Sequence, residues 1–164
     1  MGAELCSVRH TNGIEYMWQA EAAWPKHSPV LFPIVGTLVN NTYYYQEQAY
    51  HLPRHGFARE MRFMPTLLSE TEALFTLCSN ANTLAVYPFH FRLHLHYHLH
   101  HDTLTCTYMV ENTSDTEMYF SIGGHPAFAV PLLSTEQYSD YQLRFSETEP
   151  LLRWKLDKGL LRND

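Results

Sequence analysis

The chain has 164 residues, 45% of them hydrophobic, and its 17 acidic and 11 basic side chains give a formal net charge of −6. That length supports one ordinary domain, 1–164, with a real core, and the acidic balance excludes the electrostatic footprint of a nucleic-acid or anionic-membrane binder, leaving small polar molecules as partners. Cys6, Cys78 and Cys106 have no paired spacing, and no leader or membrane-spanning apolar run stands out, so a cytoplasmic chain with free thiols is expected.

In chain order, apolar alternation with a period of two dominates. ELCSVRH and IEYMWQ flank Thr11-Asn12-Gly13, which predicts an opening hairpin. TYYY and AYHL around Gln46-Glu47-Gln48 predict a second, EMRFMPTLLSE with EALFTLCS a third, and RLHLHYHLHH with TLTCTYMVEN a fourth; EMYFSI, DYQLRFSE and LLRWKL read as further strands. Residues 80–86 have room for one short turn of helix. The expected fold is all-β, an antiparallel β-sandwich, with long loops at 20–29 and 127–139.

His94, His96, His98 and His100 project from one face of a strand. Same-face neighbours stand as parallel posts about 6 to 7 Å apart, whereas zinc needs its ligands to converge on one point. No metal site is expected there. LPRHGFAREMRF places His55 beside a glycine with Arg54, Arg59 and Arg62 close by, either as a loop reaching a cleft or as ordinary solvated cations. In SIGGHPAFAVP, Pro126 biases His125 toward extended backbone, while Gly123 and Gly124 permit either close approach of another surface or positive φ.

The succession GAEL at 2–5, EYMWQ at 15–19, SPVLFPIVG at 28–36, HGFAR at 55–59, YPFHFRL at 87–93 and SIGGHPAF at 121–128 resembles the aldose 1-epimerase (galactose mutarotase) family. It is most similar to the bacterial LacX-like branch, with hexose-6-phosphate epimerases as cousins. The resemblance implies a large β-sandwich that binds a pyranose and interconverts α- and β-anomers without cofactor or metal. It further implies His125 as the acid that protonates the ring oxygen, with His55 and Arg59 as substrate-binding groups. The residue types suit the chemistry, because ring opening needs one proton delivered to the ring oxygen and another taken from the C1 hydroxyl, and histidine titrates near neutrality.

Three departures qualify the resemblance. Thr37 stands where relatives commonly carry arginine after FPIVG, relatives have further sequence before GAEL, and their glutamate base lies near the end of chains nearly twice as long. No glutamate up to Glu149 matches that motif, so no base is assigned within 1–164. The chain reads as the N-terminal part of an epimerase, truncated at both ends, and self-association or a need for the missing C-terminal half is expected. A non-catalytic carbohydrate-binding remnant and a hexose-6-phosphate 1-epimerase remain alternatives.

Overall fold

A computed structural model describes residues 1–147 and 155–161. Contacts gather the chain into two compact units, one of Met1–Ala3 with Val30–Gly124, the other of Glu4–Pro29 with the chain from His125 onward. The first contains strands β1 (Val30–Leu31), β2 (Thr42–Tyr45), β3 (Gln48–His51), β4 (Met64–Leu67) and β5 (Glu72–Cys78), helix α1 (Ala81–Val86), then β6 (Phe91–His100), β7 (Thr103–Asn112) and β8 (Gly123–Gly124). The second contains the short pair β9 (Leu156–Asp157) and β10 (Leu160–Leu161). Every named strand pairs antiparallel, as the alternation predicts.

The sheet β4-β5-β6-β7 is a meander. Its register aligns Leu77 with Leu93 and Val110, and Phe75 with Leu95 and Tyr108, so one face is continuously apolar. Leu77, Leu93 and Leu95 are buried together with Phe32, Tyr87, Phe89 and Phe91. Phe32 packs its ring 5.1 Å from that of Phe91. Burial of side chains of this size is worth about 1.5–3 kcal/mol each.

The opposite face carries the histidines. His96 and His98 are parallel rings 6.3 Å apart, both facing the Glu72 carboxylate at 3.6 and 3.4 Å, while His94 bonds to the Thr76 hydroxyl at 2.9 Å. They form a row of posts, each engaged by the neighbouring strand.

Helix α1 starts where expected because Asn80 caps it. The Asn80 side chain accepts from the amides of Asn82 and Thr83, and Thr83 Oγ1 accepts from the Asn80 amide. Among the described residues no helix is long and apolar enough to cross a membrane.

Four local expectations need correction. Gln48 belongs to β3, so the second hairpin turns on Gln46 and Glu47 alone, both at positive φ (48° and 64°), the primed geometry that matches strand twist. The third hairpin begins only at Met64, because a 3-10 helix occupies Ala58–Glu60. The opening hairpin does turn at 11–13, with the His10 amide bonded to the Ile14 carbonyl and Gly13 at φ 92°, but its arms share a single bridge, Arg9 to Glu15. The Glu15 carboxylate takes the place of ladder carbonyls: it accepts from the amides of Val8 and Met17, both at 2.9 Å, and from the Ser7 hydroxyl. Finally, EMYFSI and DYQLRFSE form no strand. The former is tied by isolated bonds, Tyr87 to the Tyr119 carbonyl and the Ser121 amide to the Pro33 carbonyl, and a 3-10 helix at Tyr138–Asp140 begins the latter. The first four residues of LLRWKL, 151–154, lie outside the described residues.

Candidate functional site

The loop carrying His55 is built by two motifs that clasp each other. The Phe32 carbonyl accepts from the amides of Phe57 and Ala58 at 3.0 and 3.2 Å, which brings SPVLFPIVG against HGFAR. Gly56, at φ 69°, makes the clasp possible: a Cβ there would lie 2.3 Å from the Phe32 carbonyl oxygen. His55 is itself left-handed at φ 68°, uncommon outside glycine and a mark of a constrained position. It is held by a reciprocal pair with Gly36, the His55 amide donating to the Gly36 carbonyl at 2.8 Å and the Gly36 amide donating to His55 Nδ1 at 3.0 Å.

That pair engages Nδ1 as an acceptor. Arg54 Nε–H is directed at the other ring nitrogen, Nε2, from 3.1 Å, so both nitrogens face N–H donors, although a neutral ring can accept at only one of them. Arg59 adds a third donor. Its Nη2 bonds the Arg54 carbonyl at 2.9 Å, and its buried Nε makes no hydrogen bond, with Glu60 standing 3.8 Å away as an ion-pair partner. Gly2 of GAEL supports this turn from below, donating to the Met61 carbonyl at 2.8 Å and packing so closely on the Arg59 carbonyl that a Cβ would come within 2.5 Å. Arg62 is exposed beyond the 3-10 helix, and Thr37 is half-buried beside Gly36.

His125 belongs to the second unit. Gly123 and Gly124 just before it pair with Leu31 and Val30, and neither adopts positive φ. Close approach is therefore their use: a Cβ on Gly124 would stand 2.8 Å from the Tyr108 hydroxyl, whose pKa burial pushes up to about 12. The His125 amide donates to the Pro29 carbonyl at 3.2 Å, and its exposed ring stacks on Trp24 with centroids 4.9 Å apart and planes at 28°. Trp24 in turn accepts at its carbonyl from Trp18 Nε1 at 2.8 Å, and Glu4 Oε2 holds the same loop through the amides of His27 and Ser28.

A family model for aldose 1-epimerase matches residues 1–158. The chain belongs to the aldose 1-epimerase family. Protein LacX of Lactococcus lactis subsp. lactis, in its plasmid form, is 38% identical over 157 residues, covering 91% of this chain and 52% of that protein. Among solved structures, a galactose mutarotase related enzyme from Lactobacillus acidophilus matches with TM-score 0.79 and 43% identity, over 83% of this chain and 46% of that one. A galactose mutarotase-like protein from Lactobacillus casei matches with TM-score 0.76 and 35% identity, over 82% and 46%. The fold is thus the all-β, antiparallel one of the galactose mutarotases. The chain spans about half the length of the curated relatives it matches.

The structure brings His55, Arg54 and Arg59 together in one loop and sets His125 against Trp24 within the other unit. None of His55, Arg59 or His125 lines the aromatic clefts of about 430 Å³ around Tyr43 and Tyr87 or about 700 Å³ around Trp18 and Tyr141. Sequence reasoning missed Trp24 and the Gly36 amide. Trp24 lies in an irregular loop with no periodicity to aim it, and a backbone amide leaves no trace in residue type.

Proposed function

We propose that this chain carries the proton-donating part of a sugar 1-epimerase site. His125 delivers a proton to the ring oxygen of a pyranose, while a base supplied from outside residues 1–164 takes the C1 hydroxyl proton. The C1–O5 bond breaks, the open-chain aldehyde rotates about C1–C2, and reclosure on the other face returns both protons. His55, Arg54 and Arg59 bind sugar oxygens. The observation that supports this most is the grouping of His55, Arg54 and Arg59 in one loop, with Arg54 Nε 3.1 Å from His55 Nε2 and Arg59 Nη2 on the Arg54 carbonyl, a cationic cluster suited to a ligand rich in acceptor oxygens. Stacking on Trp24 adds a second support, since a fixed ring plane aims a proton donor. Clustering of Arg54 and Arg59 also favours a phosphorylated hexose, against which the absence of arginine at Thr37 counts.

The test is α-to-β exchange of glucose, galactose and glucose 6-phosphate followed by NMR, with 1–164 alone and joined to the complementary half of the Lactobacillus acidophilus relative. The chain alone is expected to bind sugar without accelerating exchange, and the joined protein to catalyse it. His125→Asn should then cost about 10²- to 10⁴-fold. Undiminished exchange in that variant would remove His125 from the mechanism. A joined protein that binds but never turns over would favour a carbohydrate-binding module.

A further inference from the structure

Glu4, Cys6 and His27, all in the second unit, present one ligand atom each within 4.8 Å of one another. We propose that these three side chains form a binding site for a thiophilic divalent cation, zinc above all. The donor set is sulfur, imidazole nitrogen and carboxylate oxygen, the three that zinc takes, and three protein ligands leave a fourth position for water. Glu4 is already oriented, because Oε2 is anchored by the amides of His27 and Ser28 at 3.1 and 3.0 Å. Its other oxygen, Oε1, stands 3.9 Å from His27 Nδ1. That is too long for a hydrogen bond, and within a few tenths of an ångström of the roughly 3.3–3.6 Å that separates two ligands of one tetrahedral zinc.

Cys6 completes the group from the exposed side, its Sγ directed back to the Glu4 carbonyl at 3.3 Å. On binding, the thiol gives its proton to solvent as the sulfur–metal bond forms, and the ion displaces water from its own shell. The cation would fasten the segment at 4–6 to residues 27–28, the base of the loop that carries Trp24. It takes no part in the proton transfers proposed above. Its role is to hold the Trp24 loop, and its binding is measurable without any sugar.

The experiment is a titration of the chelator-stripped, reduced chain with Zn²⁺ against a chromogenic chelator, and with Co²⁺ to read the thiolate-to-cobalt charge-transfer band. One ion per chain is expected, with that band present. Cys6→Ser should abolish the band, and both Cys6→Ser and His27→Gln should weaken zinc by about tenfold or more. Cys78→Ser, Cys106→Ser and the double variant His96→Gln/His98→Gln should leave it intact. Absence of stoichiometric binding, a band that survives Cys6→Ser, or binding lost with His96 and His98 instead would overturn the proposal. Circular dichroism of each variant separates loss of ligand from loss of fold.

Discussion

His55 sits in a left-handed backbone position with reciprocal bonds to Gly36, whereas the contacts that place His125 include its amide bond to the Pro29 carbonyl and a ring stack on Trp24. The first arrangement engages Nδ1 and holds the ring in one orientation. The second fixes the plane of the ring and leaves it exposed. The two histidines are thus held by different means, one through its backbone and Nδ1, the other through the face of its ring.

The largest break in that comparison is Gly56→Ala. A Cβ would clash with the Phe32 carbonyl at a residue already at φ 69°, so a loss of about 3–4 kcal/mol is expected in denaturant unfolding. A loss under about 1 kcal/mol would show that the clasp is slack.

Trp24→Ala acts on the other histidine and is milder, about 1 kcal/mol for the lost ring contact. The imidazole signals of His125 should lose the ring-current shift that the Trp24 ring imposes in NMR spectra while those of His55 stay put. Movement of both would deny that the two are held independently.

The smallest effect is expected from Glu15→Gln, which sharpens the comparison by pH. Hydrogen bonds, first from Ser7 and then from the Met17 and Val8 amides, hold the Glu15 carboxyl down to about 2. Its stabilising contribution is therefore present above the ordinary carboxylate value of about 4.3 and is lost as pH falls through about 2. The amide of Trp18 donates to the Ala127 carbonyl and that of Ala129 to the Tyr16 carbonyl, so Glu15 braces the segment that follows His125. In a series of thermal midpoints between pH 4 and 2, the wild-type chain should decline more steeply than the variant. Parallel declines would mean that Glu15 braces nothing.

The long hairpins were legible in the sequence because each half-buried strand must alternate, and β5, β6 and β7 do so for seven to ten residues. Where side chains replaced backbone partners the pattern misled, as with Glu15, whose carboxylate substitutes for ladder carbonyls in arms that look like strands. His55, Arg59 and His125 drew attention through their glycine, proline and arginine neighbours, while the roles expected of them came only from motif resemblance. Glycine types announced tight backbone at Gly56 and Gly124, but only coordinates show that one needs positive φ and the other needs room for Tyr108.

The pairing of β1 with β8 joins chain segments from opposite ends of the first unit, and that has a kinetic consequence. Hairpins such as β2 with β3 and β6 with β7 close short loops and form early, whereas joining Val30 to Gly124 must wait until the intervening chain has been gathered in. The glycine pair that leads into His125 is thus among the last pieces to lock during refolding. In pulse-labelled hydrogen exchange, the β6 and β7 amides should acquire protection before the amides of the β1–β8 pair. A newly made chain would possess its central sheet well before His125 has its anchor.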